Sequence, residues 1–344
     1  MKIIFKYINL LIVILLLASC EDYLDVNTDP NNPINVSPDL VLPVAQKYTA
    51  NVIQGSDDGR RRANHLGNML MYNWSQSDGF AWYPDEFKYN VTTSFYDAIF
   101  ENSYSMALKQ YQVLEGLDPE YDYYKAIAKI MKAYHFQLLV DLYGDVPYSE
   151  TLQRGSLPTP VYEDALKIYG DLIVELTAAI SLINSAVDGA IEPGDDDAMF
   201  GGVMSDWKMF ANTVKLRILT RQMSMSGRES YIQTEFDAIV AEGSGFITDD
   251  VGVNPGYINE EEGKQNPLWN YLGWDASATQ TLSSKATCAT DYIITYLENT
   301  NDSRIGYLYE EPDDGHLGVP QGLLDYDTPV KDAFIPEKVS KIES

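Results

Sequence analysis

Basic side chains are scarce in this sequence: 24 Lys and Arg stand against 51 Asp and Glu in 344 residues, a formal net charge of −27. A surface this negative repels phosphate backbones and anionic lipid, and the one basic run is Arg60, Arg61 and Arg62, so the charge argues against nucleic-acid binding. Cysteine is nearly missing, with only Cys20 and Cys288 present, so the fold must rest on its core rather than on covalent staples. The three histidines, His65, His135 and His316, show no metal-ligand spacing such as His-Glu-x-x-His. His135 falls beside the apolar stripe of a helix and reads as a hydrogen-bonded core or flank histidine rather than a ligand. The sequence also lacks a Gly-x-Ser-x-Gly elbow, a phosphate-binding Gly-Lys-Ser/Thr loop and a dinucleotide fingerprint. No catalytic group, cofactor or metal site is therefore nominated. Glycoside hydrolysis needs only two carboxylates, and 51 acidic residues neither exclude such a pair nor point to one.

Long apolar runs are also missing. The single candidate, Ile8 to Leu17, is too short for a bilayer span, which needs about 20 apolar residues. Lys2 and Lys6 precede it and Leu17-Ala18-Ser19-Cys20 closes it, the layout of a cleaved export signal. Leu-Ala-Ser-Cys resembles the bacterial lipobox, in which the cysteine is acylated and becomes the first mature residue. We accordingly expect a signal peptide over residues 1–19, a lipidated Cys20 with a tether over 20–37, and a folded body over 38–344. The Asn, Asp and Pro of Val26 to Pro33 favour turns and suit a tether.

What the sequence does contain is helical periodicity. Tyr124, Ile127, Met131, Tyr134, Leu138 and Leu142 form one stripe over Tyr121 to Leu142, with Gly144 as the stop and Pro147 preventing resumption. Thr159-Pro160 has the form of a helix start, followed by the stripe Ala165, Ile168, Leu172, Leu176 and Ile180. Further helices are expected over Thr93 to Glu115, Ser205 to Met225, Glu229 to Ala241 and Ser284 to Leu297. Arg217 and Arg221, four apart, share a helix face and read as scaffold partners for carboxylates on neighbouring helices. The run Asp195-Asp196-Asp197 reads as a solvated loop, with calcium binding the minority reading. The result is an all-α body with long loops.

Two of those loops are rich in aromatic residues. Asn64 to Asn90 holds Met69, Met71, Tyr72, Trp74, Phe80, Trp82, Tyr83, Phe87 and Tyr89 with no clean period, and Asn266 to Asp275 holds Trp269, Tyr271 and Trp274. Flat rings beside amides and carboxylates suit sugars, whose CH faces stack while their hydroxyls take hydrogen bonds. The bland alternative is that the rings are core beneath the loops, the more common fate of any single aromatic. The stacking candidates are Trp74, Trp82, Tyr83, Trp269, Tyr271 and Trp274. Asn73, Asn270 and Asp275 are candidate hydroxyl partners.

Several segments together resemble one family. They are the lipobox followed by Asp22-Tyr23-Leu24-Asp25-Val26-Asn27-Thr28-Asp29-Pro30-Asn31, the helix end Asp141-Leu142-Tyr143-Gly144-Asp145-Val146-Pro147-Tyr148, Trp207 to Arg221, Asn266-Pro267-Leu268, and Asp302-Ser303-Arg304. Their order and chemistry are similar to the SusD/RagB nutrient-binding lipoproteins of Bacteroidetes. The resemblance implies a SusD-like helical body with tetratricopeptide-like helix pairs, although no internal repeat of that kind is detected. It also implies a lipid-anchored, surface-exposed place on the outer membrane and a SusC-type TonB-dependent transporter as partner. Such proteins act over the transporter as a lid that captures glycan or, in some members, peptide. Ligand-binding residues in the family follow the ligand, so the resemblance assigns none here. Members run on well beyond the Asp-x-Arg region, so we expect a shortened variant or truncated product with some apolar faces lacking their partners. A surface glycosidase, a peptide-binding lid and a purely structural lipoprotein are the rival readings.

Overall fold

The computed structural model describes residues 36–55, 62–153, 157–323 and 333–343, so the export signal, Cys20 and nearly all of the tether lie outside the described residues. By internal contacts the chain divides into Met1–Ser37 and Pro38–Ser344, and every described helix and strand belongs to the second unit.

Helix α1 (Pro38–Gln54) starts on a proline, which loses no bond there, and buries Val41, Leu42, Ala45, Gln46, Thr49 and Val52 along one face. After α2 (Ala63–Leu70), β1 (Trp74–Gln76) and α3 (Pro84–Lys88), one continuous helix runs through α4 (Asp97–Asn102), a π-helical stretch Ser103–Leu108 and α5 (Lys109–Glu115). A 3-10 turn at Pro119–Tyr121 then opens α6 (Asp122–Tyr143). This longest helix ends, as expected, at Gly144, whose φ of +74° suits a residue without Cβ. Its buried face meets α7 (Ala165–Asn184), while α8 (Met204–Arg221) packs on both and α9 (Glu229–Glu242) packs on α8. Side chains such as Leu42, Tyr111, Ile127, Leu176 and Trp207 are fully buried in the resulting core, each aliphatic one contributing about 2 kcal/mol of transfer free energy.

The second half is built differently. Short helices α10 (Pro267–Leu272), α11 (Leu282–Ala286), α12 (Asp291–Asn299) and α13 (Ile305–Leu308) surround β4 (Thr287–Ala289), which pairs antiparallel with β1 in the register Trp74 to Ala289 and Gln76 to Thr287. Segment 339–343 adds to this edge, with the Ala289 amide donating to the Ser340 carbonyl at 2.8 Å and the Glu310 amide to that of Lys341 at 2.9 Å. A second, aromatic core forms here from Met69, Trp74, Tyr83, Leu272, Ile294, Leu297 and Tyr309.

Three sequence expectations are corrected. Thr159-Pro160 does not start a helix: β2 (Val146–Pro147) pairs with β3 (Tyr162–Glu163), and Asp164 caps α7 by accepting the Lys167 amide at 2.8 Å. The stretch Ser284 to Leu297 is not one helix, because Thr287–Ala289 is recruited by β1 and the Thr290 hydroxyl then caps α12 by accepting the Ile293 amide at 3.1 Å. Finally, Asn64 to Asn90 is not all loop, since it contains α3 and most of α2.

The acidic run is also not uniformly solvated. Asp197 is buried, and its carboxylate accepts the Gln46 amide at 2.6 Å, the Trp207 indole N–H at 2.8 Å and the Gly202 N–H at 3.0 Å. It ties α1 to α8, and its oxygens are committed to protein donors rather than free for calcium. Arg221 reaches Asp141 at 3.1 Å as expected of a scaffold arginine, whereas Arg217 instead stacks on the Tyr134 ring, 5.0 Å from its centroid.

Candidate functional site

A cleft of about 560 Å³ opens beside the aromatic core, a volume in the range of small-ligand sites. Each wall has a local cause. Asn266 caps α10, its side-chain oxygen accepting the Leu268 and Trp269 amides at 2.9 and 3.3 Å, and Pro267 occupies the first helical position. That short helix sets Leu268, Trp269 and Leu272 along the cleft, with Leu272 also buried in the aromatic core. Strand β1 supplies Trp74. The added segment supplies Ile342 and Glu343, the latter held by its amide on the Leu308 carbonyl at 3.0 Å. Tyr257 and Asn259 complete the rim, and Gln265 ties Asn259 to the segment bearing Trp274 by donating to the Asn259 and Trp274 carbonyls at 2.7 and 3.2 Å.

The lining is therefore two indoles and three aliphatic side chains with a few polar groups: Tyr257, Asn259, Asn266 and Glu343. Such a surface can bury a ring face and direct hydrogen bonds to its edge. It brings together one candidate from each aromatic segment, Trp74 and Trp269, although Trp74 is only 7% exposed and offers little more than an edge.

The other candidates fall elsewhere. Tyr83 is fully buried, its hydroxyl 2.8 Å from that of Thr287 and its ring 5.0 Å from His65, so it belongs to the core and presents no face. Tyr271 is partly buried against the same core, 6.2 Å from His65. Trp82 lies edge-on to Phe80 at 5.1 Å, with its backbone amide on the Gln76 side chain. Trp274 is 37% exposed but does not line the cleft. Among the polar candidates, Asn73 donates to the Asn68 side chain at 3.0 Å and so closes the end of α2. Asp275 accepts the Ser277 and Thr279 amides, both at 2.9 Å, which fixes a tight turn rather than a ligand. Asn270 sits partly exposed on α10, outside the lining. Sequence reasoning missed Tyr257, Asn259 and Glu343, which reach the cleft only through tertiary pairing and carry no local signal. Asn266 was visible as part of a family-like segment.

The family model described as starch-binding, associating with outer membrane, matches residues 30–338. This chain belongs to the SusD-like family. Solved structures agree in fold: a SusD/RagB family protein from Bacteroides thetaiotaomicron is 19% identical with a TM-score of 0.69, covering 90% of this chain and 62% of that one. A SusD homologue from Bacteroides uniformis is 20% identical with a TM-score of 0.68, covering 88% and 61% respectively. A chitin-binding SusD homologue from Flavobacterium johnsoniae is 17% identical with a TM-score of 0.64, covering 88% and 60%. This SusD-like chain thus spans about three fifths of the length of these structures. No curated protein matches it. Among its described residues no helix is long and apolar enough to cross a membrane.

Proposed function

We propose that this protein captures glycan at the bacterial surface without hydrolysing it. In this reading it is anchored in the outer membrane through lipid on Cys20 and passes its ligand to a SusC-type TonB-dependent transporter. The observation that carries the reading is the cleft in which Trp74 and Trp269, from two distant segments, meet amides and a carboxylate. The chitin-binding description of a structural neighbour supports the ligand class. An apolar floor with few directed polar groups fits reversible capture of a sugar chain, which gains from ring burial and loses little on release.

Calorimetric titration of the mature protein with oligosaccharides and with oligopeptides tests this. Oligosaccharide should bind, and Trp269→Ala should weaken it roughly tenfold, equivalent to about 1.4 kcal/mol, without lowering thermal stability. Binding of peptides alone would replace glycan with peptide as the cargo. Release of new reducing ends from bound polysaccharide would make the protein a glycosidase and sink the capture reading.

A further inference from the structure

Helices α2 and α3 end in the same costly way. A left-handed residue closes each end, one place past Met71 after α2 and directly after Lys88 in α3, and two backbone bonds close behind it: the Tyr72 amide to the Met69 carbonyl with that of Asn73 to Asn68, and the Tyr89 amide to Glu86 with that of Asn90 to Asp85. Glycine normally occupies that position, because a Cβ at positive φ crowds the backbone. Here both residues are tyrosines, at φ +59° and +50°.

Burial does not offset the strain. Tyr72 is 40% exposed and Tyr89 55% exposed. Their hydroxyls instead meet each other at 2.7 Å, and the Tyr72 ring lies edge-on to Tyr292 at 6.4 Å, itself 60% exposed in the first turn of α12. The Thr290 hydroxyl that caps α12 also donates to the Tyr72 carbonyl, so the backbone holds α2 and α12 together beneath the rings. Strain kept at an exposed aromatic points to a use outside the fold. In the hydroxyl pair one phenol donates to the other, so the second O–H stays available as a donor to a ligand.

We propose that Tyr72, Tyr89 and Tyr292 form a second saccharide platform, distinct from the Trp74 and Trp269 cleft, on which pyranose faces of the same glycan stack. This rests on the glycan-capture reading. Exposed phenols joined by hydroxyls suit a polar, CH-faced ring better than an aliphatic partner, and Asp85 and Asn90, joined at 2.9 Å beside Tyr89, add polar groups at the edge.

The test uses the mature protein with maltoheptaose and chitohexaose, comparing wild type, Trp269→Ala, Tyr72→Gly/Tyr89→Gly, Tyr72→Phe/Tyr89→Phe and Tyr292→Ala. Because glycine relieves the left-handed strain, the double glycine variant should keep or raise the melting temperature, by about 2 °C, while weakening the bound oligosaccharide at least about fivefold. Tyr292→Ala should weaken binding in the same direction, and the phenylalanine pair should retain most of it. A fall of several degrees in the double glycine variant would make the rings structural and overturn the platform. Unchanged binding there, with loss in Trp269→Ala, would overturn the platform and leave the capture reading standing. If neither oligosaccharide binds wild type, the platform falls, and the capture reading then stands or falls on the wider titration with oligosaccharides and oligopeptides.

Discussion

His135 is the structural histidine that its place beside the apolar stripe suggests. On α6 it is fully buried, its Nε2 lying 2.8 Å from the Thr49 hydroxyl, which is also 2.9 Å from that of Tyr111. Burial lowers its pKa from the ordinary value near 6.5 to about 3. The depressed folded value means the unfolded chain takes the proton first, so stability present above about pH 6.5 is lost as pH falls towards 3. Between pH 7.5 and 5.5 the His135→Gln variant should lose about 1.4 kcal/mol less unfolding free energy than wild type in urea titrations. Asp197 is the converse case. Asp197→Ala strands the Gln46 amide, the Trp207 indole and the Gly202 amide, and should cost about 3 kcal/mol, read as a lower denaturant midpoint. Nothing local distinguishes it from Asp195 and Asp196, because its partner Gln46 is 151 residues away in sequence.

At the scale of elements, the long helices were legible because their buried stripes repeat within one segment. Ile127 and Met131 on α6, or Leu172, Leu176 and Ile180 on α7, fall inside as their spacing predicts. The breaks were less legible. Thr287–Ala289 is a strand because β1 lies alongside, and that pairing spans more than two hundred residues of sequence. Two glycines test this packing in opposite directions. A Cβ on Gly318 would lie 2.2 Å from the Thr290 carbonyl oxygen, where the Val319 amide meets Ala289 at 2.9 Å. Gly318→Ala should therefore destabilise by about 3 kcal/mol. Gly67 inside α2 has open space around its Cβ position, so Gly67→Ala should stabilise by about 0.5–1 kcal/mol in the same unfolding measurement.

For the whole molecule, the family was legible from dispersed segments, whereas the site was only half legible. The aromatic segments announced that rings cluster, and two of the six chosen rings do meet in a cleft. Which rings face outward depends on where α10, β1 and segment 339–343 come together, and no single segment encodes that. On α9 only Ile239 is buried, while Val240 is 58% exposed. The proposed place on the cell surface makes its own prediction. Tagged protein extracted in mild detergent from its native outer membrane should carry a stoichiometric TonB-dependent barrel, identified by mass spectrometry, and free protein alone would argue for a role without an importer.

Glycan capture in the Trp74 and Trp269 cleft is tested most directly by a crystal structure with the tightest-binding oligosaccharide. The predicted result is a sugar ring stacked on Trp269 with hydroxyls directed to Asn259, Asn266 or Glu343. Sugar bound elsewhere while the cleft holds only water would contradict it.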